Sequence, residues 1–355
     1  MAVGLSQPDP DNAGGGSMKT RLFTIFLSTC IVCSVAAFGA KDNSQRTDEV
    51  VVYTYDSFAG EWGPGPQLAK AFEEKTGLKC TMIVVGDGAQ ILSRTILESS
   101  APQADVVIGV DNNQVDLARS SGVLEPYQPQ DGAQLVPQHL RLTEDWLLTP
   151  YDWSYFAMIH DSSSSVPAPT SLQDLTSEVY RKKIILMDPR TSTPGLGFVA
   201  WTVAVFGEDY LDYWRALKPN ILTMAPSWST GYGFFTAGEA PLVVSYTTSP
   251  AYHREYGEGD RFKALIFPEG HSLQIEGAAL VKGAPNAEGG RRFLDFLVSQ
   301  QAQEMLPLTQ WMYPVNPQVE LPASYQAAPQ AGKALTVDNG ALAAAVEAVM
   351  SLLAE

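Results

Sequence analysis

Apolar and polar residues follow two rhythms along this chain, and the order of those rhythms predicts its architecture. Val50-Val-Val-Tyr-Thr-Tyr55 is a β-branched and aromatic run, hence a strand. Gly63-Pro-Gly-Pro66 breaks it, and residues 67–75 read as a helix stopped by Gly77. Residues 79–85 predict a second strand, 89–99 a helix and 105–110 a third strand. The pattern then restarts, with a strand at 154–160, a helix at 170–180 and a strand at 183–187. Helices at 197–206 and 231–237 and a strand at 241–245 follow. Runs at 264–267 and 274–281 are strands that return the chain to the first half. Residues 287–300 form an amphipathic helix, 318–333 a Pro/Ala-rich coil and 341–353 a terminal helix. Strands alternating with helices at this spacing predict a parallel α/β sheet in each half.

A chain of 355 residues exceeds one ordinary core. The expected division places residues 40–150 and 275–355 in lobe one and residues 151–274 in lobe two, with two strands crossing between them. Such an arrangement makes a cleft, and ligands of open α/β sheets sit beyond the carboxyl ends of the strands. Composition agrees with a globular chain, at 45% hydrophobic and 17% charged residues. The formal net charge of −16 argues against nucleic acid or an anionic membrane as partner.

Export is predicted from the start of the chain. Met18-Lys-Thr-Arg21 precedes about fifteen apolar-to-small residues, too few to span a bilayer comfortably. Ala37-Phe38-Gly39 has small residues at its first and third positions, which places the mature start at Ala40. Residues 1–17 read as an upstream extension, so 1–39 form a leader and signal segment that is removed. Cys30 and Cys33 would leave with it, and Thr29 and Val32 before them disfavour a lipid anchor. Cys80 then stands alone, without disulfide partner or thiolate metal cluster.

Candidate chemistry concentrates in a few segments. Asp188-Pro-Arg-Thr-Ser-Thr-Pro-Gly-Leu-Gly197 joins a strand to a helix start, where free N–H groups and the helix dipole favour an anion or a polar ligand head. Gly195-Leu-Gly-Phe-Val-Ala200 matches the dinucleotide fingerprint in letters, but a seven-residue insert separates it from its strand. Ser227-Trp-Ser-Thr-Gly231 approaches a nucleophile elbow, yet no histidine is assignable to Ser229 as its base. No histidine pair has the helical spacing of a metal site. Gly86-Asp-Gly-Ala-Gln90 opens a helix on which Asp87 is either an N-cap or, with the Gly88 and Ala89 N–H groups, part of a second anion cradle. Tyr55, Trp228, Tyr246, Tyr252 and Trp311 lie in polar, Gly/Ser/Thr/Pro-flanked segments, the context of walls for a flat or cationic ring.

These residues carry a resemblance. Tyr53-Thr-Tyr-Asp-Ser-Phe-Ala-Gly-Glu-Trp-Gly-Pro-Gly-Pro66, Asp105-Val-Val-Ile-Gly-Val-Asp-Asn-Asn113, the 188–197 loop, Ser245-Tyr-Thr-Thr-Ser-Pro-Ala-Tyr-His253, Glu269-Gly-His271 and Trp311-Met-Tyr-Pro314 resemble the periplasmic thiamine-binding proteins of bacterial ABC importers. The resemblance runs from about Val50 to Pro314. It implies a two-lobed, type II periplasmic binding fold without catalytic activity. Its ligand would be thiamine or its mono- or diphosphate, and its partners a membrane permease and ATPase subunit. A monomer without cofactor or metal is expected. By matching position, Tyr55, Tyr246 and Tyr252 would frame the rings, and Trp311 would close the rim. Asp87, Gly88, Ala89, Ser192 and Trp228 would surround the phosphate or hydroxyethyl end, with Asp56 or Asp87 answering the thiazolium charge. The alternatives are a binder of another organic cation or phosphorylated metabolite and, in a different class, a thiamine-degrading enzyme on the same scaffold.

Overall fold

The structure is a computed structural model that describes residues 46–355. The leader and signal assignment, with Cys30 and Cys33, lies outside the described residues. Twelve strands form one connected sheet. In chain order they are β1 (Glu49–Thr54), β2 (Lys79–Val84), β3 (Val106–Asp111), β4 (Leu124–Glu125), β5 (Thr149–Asp161), β6 (Ile184–Met187), β7 (Ile221–Ala225), β8 (Leu242–Tyr246), β9 (Phe262–Leu265), β10 (His271–Val281), β11 (Tyr313–Pro314) and β12 (Ala334–Leu335). The spatial order of the main path is β2-β1-β3-β10-β5-β8-β6-β7.

At the ends of this path the strands pair in parallel, β1 with β2 and β3, and β6 with β7 and β8. In the middle, β10 runs antiparallel to β3 and β5, and β5 antiparallel to β8. The sheet is therefore mixed, where the alternating pattern alone predicts a parallel one. β5 carries the chain out of the first lobe and β10 brings it back, so the two must run in opposite directions. Both are long, at 13 and 11 residues, because each serves two lobes. The first part of β5 pairs with β10 and β11 and the second with β8 and β9.

Two large hydrophobic clusters flank these crossings. One gathers β1, β3 and the end of β10 with Phe72, Phe293 and Phe296 from the helices Gly65–Thr76 and Ala287–Leu297. The other gathers β6, β8 and the end of β5 with the helices Thr193–Phe206 and Tyr210–Leu217. In the helix Thr193–Phe206 every residue from Thr193 to Thr202 is buried, the signature of a helix covered on all sides. A Cβ on Gly197 would overlap the Phe156 ring, and one on Gly195 the Met187 backbone. Those two glycines allow close packing of helix on sheet, not the tight turn of a dinucleotide site.

Three local readings change. Residues 170–180 form two 3₁₀ turns, Gln173–Thr176 and Glu178–Tyr180, instead of a helix. Asp174 Oδ2 accepts both the N–H and the hydroxyl of Thr170, a side-chain bond that competes with helix continuation. The helix Tyr210–Leu217 and strand β7 were not expected at all. The terminal helix, Asn339–Ala354, packs Leu342, Ala345, Val349 and Leu352 into the second cluster, not the first as the expected division of residues 275–355 requires. The chain thus crosses a third time through β12, which pairs with the start of β10, and the apolar stripe of the last helix finds its partner there.

Candidate functional site

Residues from both clusters border a cavity of about 400 Å³. From the first side come Tyr55, Asp56, Asp87, Gly88, Glu276, Gln310 and Trp311, and from the second Thr193, Trp228, Ser229, Tyr232, Tyr246, Ser249 and Tyr252. Most follow the carboxyl ends of parallel strands, as the α/β topology requires. Tyr55 succeeds β1, Asp87 follows β2 and Thr193 follows β6. Trp228 follows β7, and Tyr246 ends β8.

Tyr55 is buried with its ring over Gly109, whose φ of 107 and lack of a Cβ both permit that contact. Its hydroxyl donates to Glu276 Oε2 (3.0 Å) and accepts from Gln310 Nε2 (2.5 Å). Tyr246 lies half-buried beside Phe156, with ring centroids 5.3 Å apart. Trp228 is held in three ways. Its Nε1 donates to Ser245 Oγ (2.9 Å), its ring stacks on Tyr232 at 5.0 Å, and its backbone N–H donates to Asp87 Oδ2 (3.0 Å). Tyr232 in turn donates its hydroxyl to His253 Nε2 (2.8 Å), while His253 Nδ1 donates to Glu258 (3.1 Å). Burial lowers the pKa of His253, which fits that neutral tautomer. At the rim, Tyr252 and Trp311 meet edge to face at 5.3 Å, and Trp62 stands 81% exposed.

Asp87 realises its N-cap reading. Oδ1 accepts from the Gly88 N–H (2.8 Å), and Gln90 completes a capping box at the start of the helix Gly88–Leu97. The protein's own carboxylate therefore occupies the helix start that was expected, as one alternative, to cradle an anion. Burial pushes the Asp87 carboxyl up to about 6, against the N–H donors that lower it. Ala89, the second residue of that helix, does not border the cavity. Ser192 does not border it either. It is fully buried behind Thr193 as N-cap of the helix Thr193–Phe206. Among the described residues the hydroxyls of Ser192 and Thr193 find no hydrogen-bond partner of normal geometry. Seven of the nine expected residues thus reach one cavity, whereas Ala89 and Ser192 are each the chain neighbour of a residue that does.

Sequence reading missed Glu276, Gln310, Thr193 and Tyr232. Glu276 lies inside an apolar strand run that marked it only as part of a strand, and Tyr232 lies in an aromatic helix. The Ser229 hydroxyl donates to Asp56 Oδ1 (3.2 Å), whereas His253 is engaged by Tyr232 and Glu258. Among the described residues no group of three or more His, Cys, Asp or Glu has metal-binding geometry, and no helix is long and apolar enough to cross a membrane. Burial pushes the Cys80 thiol up to about 12, so it is a packed side chain and a poor nucleophile. Among the described residues, those bordering the cavity include the carboxyls of Asp56, Asp87 and Glu276 and no Lys, Arg or His.

A cleft of this kind, between lobes joined by long crossing strands, defines a solute-binding protein. The chain belongs to the bacterial extracellular solute-binding protein family, whose model matches residues 67–333. This is a family of binding proteins, not of enzymes. The chain is 40% identical over 303 residues to the thiamine-binding periplasmic protein of Brucella abortus, covering 85% of this chain and 90% of that one. It is also 40% identical over 280 residues to the protein of that name from Escherichia coli, covering 78% and 84%. A solved periplasmic thiamin binding protein superposes with a TM-score of 0.80 at 36% identity, covering 86% of this chain and 96% of that one. A fructose-6-phosphate-bound binding protein from Actinobacillus pleuropneumoniae, at 21% identity and a TM-score of 0.73, shares the fold.

Proposed function

We propose that this chain is the periplasmic thiamine-binding component of an ABC importer. It closes its two lobes over thiamine or a thiamine phosphate and delivers it to the membrane permease. It works as an exported monomer, with the signal segment in residues 1–39. One observation carries the reading: a cavity walled by Tyr55, Trp228, Tyr246, Tyr252 and Trp311 that, among the described residues, presents three carboxyls and no basic side chain. Thiamine is a flat organic cation, and stacking and cation–π contacts are each worth roughly 0.5–2 kcal/mol in such a site. The relatives named for thiamine support the same ligand.

The polar end of the ligand is assigned to the unpartnered Thr193 hydroxyl and the N-terminal end of its helix. With no Lys or Arg among the described residues bordering the cavity, added phosphates gain no ion pair from them. Thiamine is therefore expected to bind at least as tightly as its diphosphate. Titration of the mature protein with thiamine, its phosphates and choline, read by tryptophan fluorescence and by heat, tests the reading. Saturable binding of thiamine at micromolar concentration or below, with choline far weaker, is expected. Absence of binding by every thiamine form refutes it, and loss of intact thiamine on long incubation would indicate an enzyme instead.

A further inference from the structure

One carboxyl that borders the cavity belongs to a buried row of three. Glu276 on β10 is in register with Asp152 on β5 on one side and with Asp111 on β3 on the other. Residues directly opposed across paired strands project to the same face, so the three carboxyls lie side by side. All three are buried, Asp111 and Asp152 fully and Glu276 at 4% exposure, and of the three only Glu276 borders the cavity.

Their hydrogen bonds are unequal. Glu276 Oε2 accepts from the Tyr55 hydroxyl (3.0 Å) and Gln310 Nε2 (3.1 Å). Asp111 accepts the N–H and Nδ2 of Asn113 (3.0 and 2.9 Å). Among the described residues neither oxygen of Asp152 receives a donor in normal hydrogen-bond geometry. Donors stabilise an ionised carboxylate, and a buried carboxyl without donors keeps its proton. Two adjacent carboxyls that cannot both ionise share one proton, and here it belongs on Asp152, whose O–H then faces Glu276. Burial together with the Glu276 charge raises the pKa of Asp152 well above the usual range, in agreement with that placement.

We infer that Glu276, held ionised by Tyr55 and Gln310 and backed by protonated Asp152, is the residue that selects a positively charged ligand in this cavity. Asp56 and Asp87, the carboxylates that sequence alone suggested for that task, are engaged elsewhere. Asp56 accepts from Ser57 N–H and Ser229 Oγ, and Asp87 caps its helix and binds the Trp228 N–H. Glu276 is also the one placed on a crossing strand, so it keeps its position when the lobes move. The inference rests on the thiamine reading for the identity of the ligand, but its content is the choice of charge.

The test compares wild type and Glu276→Gln by calorimetry with thiamine and with a matched pair of fragments. These are 5-(2-hydroxyethyl)-3,4-dimethylthiazolium and its neutral parent 5-(2-hydroxyethyl)-4-methylthiazole, which differ by one methyl group and one charge. Wild type is expected to prefer the cation at least about fivefold. Glu276→Gln is expected to lose that preference and to bind thiamine at least about tenfold more weakly. Wild type that binds thiamine but shows no preference between the fragments overturns the inference, whatever the fate of the variant. So does a Glu276→Gln protein with unchanged thiamine affinity. Wild type that fails to bind thiamine removes the ligand reading, and the inference with it. Infrared difference spectroscopy supplies a readout independent of ligand. Above about pH 8, where Asp87 and Asp111 are ionised, the C=O stretch of a protonated carboxyl should be present in wild type and absent in Asp152→Asn; its absence from wild type overturns the pairing.

Discussion

Asp87 Oδ2 accepts the backbone N–H of Trp228 at 3.0 Å, joining the helix start after β2 to the helix start after β7 across the cavity. The same carboxylate caps its own helix through Gly88. One side chain therefore ties local helix structure to contact between the lobes. Asp87→Asn separates the two roles, because an amide oxygen still caps the helix while the amide nitrogen faces another donor. The variant is expected to stay within about 1 kcal/mol of wild-type stability. It should bind thiamine about tenfold more weakly and scatter X-rays as a more open particle. Unchanged affinity would show that this bond does not hold the closed arrangement.

Gly88 reports on the same closure sterically. A Cβ at this position would overlap Thr193 Oγ1 on the opposing helix. Alanine suits a first helical position, so Gly88→Ala should leave the melting temperature of the ligand-free protein unchanged. Thiamine affinity should fall more than tenfold, and Thr193→Ala in the same chain should recover part of the loss. Simple additivity of the two substitutions would mean that the residues do not meet in the bound protein.

The rim offers a division between stability and binding. Trp311 has a φ of 60, a left-handed backbone that costs a bulky residue about 1 kcal/mol. Trp311→Gly is therefore expected to melt no lower than wild type while losing more than tenfold in thiamine affinity. Tyr252→Ala, which removes the ring lying edge-on to Trp311, should weaken thiamine by a similar factor. Either variant with full affinity would take its residue out of the site.

Asp111 makes stability depend on pH. Burial pushes its carboxyl up to about 7, above the ordinary carboxylate range. Between about pH 4 and 7 the folded protein holds a proton that the unfolded chain has released. Stability from this group is accordingly present at low pH and lost as pH rises through about 7. Asp111→Asn cannot titrate. Relative to wild type it should gain on the order of 3 kcal/mol between about pH 4.5 and about pH 8, read from denaturant midpoints. Parallel pH profiles of the two proteins would refute the assignment.

Much of this molecule is legible without coordinates. The β-branched runs of β1 and β3, the Gly63–Pro66 break and the capping residues at Asp87 are local features, and local sterics and hydrogen bonding fix them. The five aromatics stood out because polar, turn-forming neighbours set them apart from any apolar stripe, and all five border the cavity. Residues 170–180 misled because helical spacing of apolar residues does not register Asp174 capturing Thr170.

Tertiary structure alone decided the rest. The sequence by itself determined the alternation of elements, the two-lobed class and the segments that meet at the cleft, since each follows from near-neighbour chemistry. It could not place the last helix on the second lobe, because an apolar stripe specifies burial and not a partner. Nor could it reveal that Asp111, Asp152 and Glu276 stand in one row. Their juxtaposition depends on strand register across more than a hundred residues of chain, and a shift of one residue would turn these side chains to the opposite face.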